Sequence, residues 1–499
     1  MFLFGMQKSY IHIDEGYSYG LINYDKLDIT GNDDFYNTWH TKDYYKDYLT
    51  VNSDEKDNWM PVYENQKNDV HPPFYYFLLR VANMFSIDNF SVWTGMVLNI
   101  IIHIGITIFV YLIANKLFKN KIYALIIAFV GGLTVSTLET VILARMYALT
   151  ALNIAIITYL HIINFEKENI DIKNLVIMGA CIVIGSLTHY YYLIYLFVLY
   201  VIFMIKYIVN KNYKMAIKYT VCMAISGVVS LIIFPYSFVH IFMGYRGQGM
   251  LSNLTNMESM WLGIGEYFGL TLLDVFNGLL GVIIIIILCV HIYELIKKRE
   301  ITFKPTNKYI GLILMPTLVY FAIIALGAPY REIRYIMPIC PLIFIIFIYA
   351  LKVVLERVFK DKTIFTIISA LLCIMLIIPI ITNWNITYLY PDLKEIVSQT
   401  EETHDIPTLF IFNKDMNRFM DDIYLFSLID ESYVMDSKLI NTDSFKNILE
   451  NKNLQNGLRV FINEGNENDE CIEMLLDVTG LEKCDYVKRM NACDIYYLH

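Results

Sequence analysis

The sequence has little that would mark a metalloprotein, a nucleic-acid binder or a secreted disulfide protein. Its eight cysteines form no Cys-x-x-Cys pair, which removes the zinc-ribbon and thioredoxin-type readings. Cys181, Cys222, Cys289, Cys340 and Cys373 each stand alone in apolar runs, where a small core- or lipid-facing residue is the plain reading. Cys471, Cys484 and Cys493 fall in a polar C-terminal region, and a Cys484–Cys493 disulfide is the pairing to check there. The net charge is −9 and no basic stripe with interleaved aromatics occurs, so nucleic acid is not an expected partner. There is no internal repeat, low-complexity linker or visible cleavable signal peptide. Only 17% of the 499 residues are charged, while 56% are hydrophobic. A soluble chain of this length would break its apolar runs more often.

What is present is a series of apolar runs near 92–115, 122–140, 144–163, 174–188, 190–206, 217–235, 275–296, 309–327, 334–351 and 363–383. Several reach roughly 18 to 24 residues, enough to cross roughly 30 Å of hydrocarbon as helix. They predict ten transmembrane helices. The short loops sort by charge. Lys116, Lys119 and Lys121 form one cluster, Lys167 and Lys173 the next, then Lys206, Lys211, Lys214 and Lys218. Lys297, Lys298, Arg299, Lys304 and Lys308 follow, and then Lys352, Arg357, Lys360 and Lys362. All fall on one side of a ten-helix arrangement, which the positive-inside rule makes cytoplasmic. The opposite loops hold only Arg145, Arg246, Arg331 and Arg334.

The expected organisation is therefore a first extracytoplasmic loop over 1–91, a membrane bundle over 92–384 and an extracytoplasmic α/β domain over 385–499. The 236–274 loop is placed on the same outer side. Exporting so acidic a first loop calls for a helix ahead of it, and the expectation is that this sequence lacks that helix. The alternative is an N-terminal tail translocated without a signal. Residues 14–70 read as a long loop with short helices, and "PPFYYFLLRVANMF" as an amphipathic helix opened by Pro73, its aromatics at headgroup level. In the tail, "PDLKEIVSQTEET", "TDSFKNILE" and "NDECIEMLLDVTG" predict helices, the last ending at Gly480. "TLFIF", "GLRVFI" and "CDIYYL" predict strands.

A few polar residues need a reason. "HIDEGYSYG" sets Asp14 beside Glu15; two adjacent carboxylates at a membrane surface are most simply solvated. In "DVHPPFYYFLL", Pro72 and Pro73 stiffen the chain around His71, so that this histidine either holds a headgroup phosphate or metal or merely sits in a turn. "ETVILARMYAL" puts Glu139, Arg145 and Tyr147 at an outer helix boundary, "SLTHYYYL" puts His189 at another, and "GAPYREIRY" puts Arg331, Glu332 and Arg334 at a third. Each alone reads as a snorkelling interface residue. Together, arginines recurring near carboxylates on a cation-poor side suit an anionic lipid headgroup meeting a hydroxylated acceptor, because Arg pairs bidentately with phosphate.

These segments resemble the GT-C glycosyltransferases, specifically glycosyltransferase family 39 and its bacterial relatives of the protein O-mannosyltransferase and aminoarabinose-transferase type. "HIDEGYSY" is similar to the Asp-Glu motif of that family's first outer loop, and "DVHPPFYYFLL" to its D-x-H-P-P segment, the most specific match. "ETVILARMYAL", "LTHYYYL" and "REIRYIMPICPLI" have counterparts as well. The resemblance covers roughly residues 10 to 385. It departs in the absent helix before the Asp-Glu motif and in a tail without a recognisable sugar-binding module.

The resemblance implies a multi-pass plasma-membrane enzyme that moves a sugar from a polyprenyl-phosphate-sugar to a hydroxyl of a protein, lipid or envelope glycan, with inversion. By carry-over Asp14 is the general base, and Glu15 orients the acceptor or Asp14 or helps hold a metal. Arg145 and one of Arg331 or Arg334 contact the phosphate, while His71, Tyr147 and His189 line the headgroup pocket. A divalent ion at Asp14, Glu15 or His71 is compatible with the ligand types, but the spacing does not demand one. The alternatives are a lipid-linked oligosaccharide ligase or polymerase using the same cavity, a polyprenyl-lipid transporter or flippase, and a membrane scaffold without catalysis. A transporter would place its ionisable residues nearer mid-membrane.

Overall fold

The computed structural model describes residues 1–24, 28–275, 278–296, 307–358, 367, 371, 375, 386–412, 418–439, 441–465 and 468–499. The chain is mainly α-helical with one six-stranded sheet. It divides into two compact units, one of residues 1, 70–75 and 96–387, the other of residues 2–69, 76–95 and 388–499.

The first unit is the apolar one. Val92–Phe118, Tyr147–Asn164, Tyr192–Val209, Tyr213–Ile233 and Met337–Glu356 are long and apolar enough to cross a membrane, and Ile172–Ser186, Leu280–Val290 and Gly311–Gly327 are shorter apolar helices. The periodicity shows which face meets lipid. On Val92–Phe118, Val97, Ile101, Ile104 and Ile108 are exposed, while Met96, Asn99, Ile106, Val110 and Ile113 are buried. In lipid an exposed apolar stripe carries no penalty, so small and polar groups turn inward instead. A Cβ on Gly179 would come within 3.0 Å of Ser226 Oγ, and that close approach lets Ile172–Ser186 pack on Tyr213–Ile233.

Nine of the ten predicted runs coincide with helices among the described residues. The last, 363–383, falls almost wholly outside them. Two expectations are corrected. The 122–140 run is not one helix: Lys121–Gly131 and Val135–Ile142 are bent by 58°. The break falls at Gly131-Gly132, where the Thr134 and Thr137 hydroxyls both donate to Gly131 O, at 3.3 and 2.8 Å. Side chains take over a carbonyl that a continuous helix would have used. The 236–274 loop is itself helical, as Tyr236–Phe242, Tyr245–Thr255 and Met257–Leu270.

The second unit combines the N-terminal segment with the tail. Its sheet runs β1-β3-β2-β4-β6-β5, with β1 Trp39–Thr41, β2 Thr408–Phe412, β3 Glu431–Asp436, β4 Leu458–Asn463, β5 Cys484–Met490 and β6 Cys493–Leu498. β2 is parallel to β3 and β4, and the other pairings are antiparallel. Central β2 is buried at every position, as a strand covered on both faces must be. Leu409 and Ile411 pack with Phe445, Leu449 and Leu475. Phe410, one residue out of phase, meets Phe419, Phe426 and Phe461.

The helices expected at 394–402, 442–449 and 468–479 form, and so do all three expected strands. Strands β1, β3 and β5 are additional. The Cys484–Cys493 disulfide is not made. Cys484 pairs in register with Leu498, whereas Cys493 pairs with Met490, so the two sulfurs sit at opposite ends of the hairpin, roughly 20 Å apart by strand rise. The "PPFYYFLLRVANMF" helix is corrected as well. It forms as Phe74–Asn83, but Tyr75, Tyr76 and Arg80 are buried in protein rather than turned to headgroups, and the polar ends of Tyr75 and Arg80 have partners there.

Candidate active site

The sequence-predicted residues fall into two groups, one in each unit. The first is built on the Ile13–Asn23 helix. His12 is its N-cap: the ring Nδ1 accepts from Asp14 N at 3.1 Å, and His12 N donates to Glu15 Oε2 at 2.9 Å. This is a capping box with histidine in the usual Ser or Thr place. The other Glu15 oxygen takes Lys8 Nζ at 2.5 Å, and both side chains are shut from solvent, at 0% and 1% exposure. Burial pulls the Lys8 amine down and Glu15 pulls it back up.

The two carboxylates therefore have different environments. Glu15 is locked between an ammonium and a backbone N–H, whereas Asp14 keeps 22% of its side-chain surface open. His12 Nδ1 lies 3.8 Å from Asp14 Oδ2, and the His12 ring meets Tyr388 edge-on at 5.4 Å. Glu15 was also a candidate metal ligand, yet both of its oxygens are engaged. Among the described residues no three His, Cys, Asp or Glu side chains group as a ligand set.

The second group gathers around His189. Phe74 N donates to Leu187 O at 2.9 Å, tying the His71-Pro72-Pro73 segment to the loop that carries His189. The two imidazoles are 6.0 Å apart between centroids, and Tyr147 lies 5.6 Å from His189. Tyr191 and Tyr335 close the aromatic wall, 5.7 Å apart. Arg145 is buried in the turn just ahead of Tyr147–Asn164. That turn is held by Asn99, whose Nδ2 donates to Val141 O and Leu143 O at 3.2 and 2.7 Å, while Tyr75 OH donates to Asn99 Oδ1 at 3.2 Å. The His189 imidazole is held well below its ordinary range, first by burial and then by the positive charge of His71, Arg145 and Arg246. It is a neutral hydrogen-bonding group with cations around it.

Arg246 belongs to this group although sequence reasoning gave it no role. Its Nη1 donates to Tyr335 OH at 2.8 Å, and its guanidinium stacks 4.3 Å from the Tyr330 ring centroid. The only signal for it was its rarity as an outer-side cation. Arg334 lies 5.9 Å from the Tyr335 ring. Arg331 is turned to other partners: it pairs with Glu266 Oε1 at 3.1 Å and donates to Ser259 O and Oγ. A guanidinium already matched by a carboxylate is a weaker phosphate ligand than an unmatched one.

Solved structures similar to this chain include the following three. ArnT from Cupriavidus metallidurans bound to undecaprenyl phosphate aligns with a TM-score of 0.48 and 11% identity, over 99% of this chain and 95% of that one. The same ArnT in the apo state gives 0.48 and 12%, over 99% and 96%. The archaeal oligosaccharyltransferase AglB from Archaeoglobus fulgidus, in complex with an inhibitory peptide and a dolichol-phosphate, gives 0.43 and 11%, over 91% and 66%. No protein-family model matches the chain, and no curated protein does.

Proposed function

We propose that this protein is a membrane glycosyltransferase that moves a sugar from a polyprenyl-phosphate-sugar to an acceptor hydroxyl on the extracytoplasmic face. The reading rests on the motif resemblance and on the chemical division within the Asp-Glu pair. Asp14 keeps 22% of its side-chain surface exposed where Glu15 keeps 1%, on a helix start that Lys8, His12 and Glu15 hold in place. In the proposed step the acceptor oxygen attacks the anomeric carbon as its proton passes to Asp14. The bond from that carbon to the phosphate oxygen breaks, and polyprenyl phosphate leaves with the electron pair. One displacement inverts the anomeric carbon. A phosphate needs no proton to depart, so one base suffices where glycoside hydrolysis uses two carboxyl groups. By the resemblance the phosphate's charge falls to Arg145 and Arg334, and within their own unit Arg246, His71 and neutral His189 add hydrogen-bond donors.

The test is the full chain reconstituted in lipid nanodiscs and offered a panel of short-chain polyprenyl-phosphate hexoses and pentoses, each with peptide, lipid and glycan acceptors. Release of polyprenyl phosphate together with an inverted glycoside is expected for at least one pairing. Retention of configuration, or lipid flipping with no glycoside from any donor, would overturn the reading.

A further inference from the structure

Arg80 is the largest fully buried side chain in the molecule's described residues, at 1% exposure. All four of its hydrogen-bond acceptors are neutral. Nη1 donates to Ile22 O at 2.7 Å and to Asn23 Oδ1 at 3.1 Å. Nη2 donates to Glu55 O at 2.8 Å and Asn58 O at 3.1 Å. Ile22 and Asn23 close the helix that carries Asp14. The neighbouring carbonyls there are held too: Asn65 Nδ2 donates to Leu21 O at 3.2 Å and to Tyr24 O at 2.6 Å. A helix end leaves its last carbonyls without intrahelical partners and carries partial negative charge. A planar guanidinium answers both needs and, through its second nitrogen, fixes that end to the 55–58 turn.

Burying a cation among neutral acceptors is an expensive way to fill space. What it provides is directional: the fork sets the angle at which the helix leaves its seat. Asp14 lies eight residues from Ile22, roughly 12 Å along a helix axis at 1.5 Å per residue. Over that arm a tilt of about five degrees moves the carboxylate by about 1 Å, and an error of that size costs on the order of a hundredfold in a positioned reaction.

We infer that Arg80 is a positioning residue for sugar transfer, acting through the Ile13–Asn23 helix to hold the Asp14 carboxylate where it takes the acceptor's proton. The inference rests on the proposed function above. Its test compares Arg80→Met, Arg80→Lys, Asp14→Asn and the Asp14→Asn/Arg80→Met double variant in the full reconstituted chain, using the donor the panel identifies. Amide hydrogen exchange over residues 19–23 is followed in parallel.

The expected results for Arg80→Met are about tenfold faster exchange at 19–23, a kcat lower by about a hundredfold and a lipid-donor KM within about twofold of the parent. Arg80→Lys, which keeps the charge and part of the donor set, recovers some of the kcat. The double variant is no slower than Asp14→Asn. Should Arg80→Met fail to fold, the drop in kcat of Arg80→Lys per folded molecule decides. The inference falls if Arg80→Met lowers only the melting temperature while kcat per folded molecule holds. It also falls if the double variant loses a further large factor, since Arg80 would then act other than through Asp14. Wild-type turnover in Asp14→Asn would remove the base reading itself, and normal exchange at 19–23 in Arg80→Met would remove the anchoring.

Discussion

Asp422 is fully buried beside the turn that seats the Asp14 helix, and its titration gives the account a sharp stability test. Phe419–Asp421 is a single 3-10 turn. Tyr10 OH donates to Asp421 O at 3.1 Å, and a Cβ on Gly16 would stand 3.4 Å from Ile423 Cγ2, so this turn packs on the first residues of the Asp14 helix and the stretch of chain before it. Asp422 accepts from Asn491 Nδ2 at 2.7 Å. Burial, the largest cause, and Asp421 push its carboxyl up from 3.8 to about 8, against the opposing pull of Asn491, Cys493 and Arg418.

In the folded protein Asp422 is thus protonated across a range in which the unfolded chain ionises. Unfolding between about pH 4 and 8 releases a proton, so stability falls as pH rises through that window and levels off above it. At ~1.4 kcal/mol per tenfold in proton affinity, the gap amounts to on the order of 5 kcal/mol from one end to the other. Asp422→Asn keeps an acceptor for Asn491 and has nothing to titrate. Melting of the two proteins in detergent at pH 5, 6, 7 and 8 is expected to show the variant gaining steadily on the parent, by several degrees at pH 8. Parallel curves, or a parent that gains on the variant as pH rises, would refute the reasoning.

Other consequences follow from the same contacts. Lys8→Met strands the buried Glu15 carboxylate and is expected to cost about 3–5 kcal/mol, read as a melting shift that Lys8→Met/Glu15→Gln partly reverses. Gly20→Ala would set a Cβ 1.9 Å from Tyr48 Cζ, and the forced shift is expected to cost about 1–3 kcal/mol in the same assay. Arg246→Gln is expected to raise the lipid-donor KM by roughly tenfold or more, the worth of a charged hydrogen bond, whereas Arg331→Gln, which loses only a contact to Glu266 and Ser259, leaves it nearly unchanged in steady-state kinetics. Cys484 and Cys493 are free, so alkylation of unreduced, denatured protein followed by mass spectrometry should label both.

The helices of the apolar unit were legible because an unbroken apolar run has few other ways to satisfy its backbone in lipid. The bend at Gly131-Gly132 was not, since it depends on two threonine hydroxyls reaching one carbonyl. Strands "TLFIF" and "GLRVFI" read clearly because both faces are covered. β5 did not, because Asp485, Lys488 and Arg489 give an edge strand the look of a loop. β1 is three residues long, and its partner β3 lies almost four hundred positions away in the chain. In the candidate site, residue types at motif spacing pointed to Asp14, His71, Arg145 and His189. The unequal environments of Asp14 and Glu15 could not be read there: they arise from Lys8 folding back and from burial, which are tertiary facts. Arg246 rather than Arg331 joins the aromatic and histidine cluster for the same reason, since Glu266 is what draws Arg331 away.

The most direct measurement is turnover per folded molecule in Asp14→Asn against Glu15→Gln, with the same donor, acceptor and nanodisc. The account predicts that Asp14→Asn loses about two to four orders of magnitude in kcat with its melting temperature intact, as expected for removal of a general base, whereas Glu15→Gln loses chiefly stability because Lys8 is left buried without its counter-charge. An Asp14→Asn protein that turns over at the parental rate would contradict it.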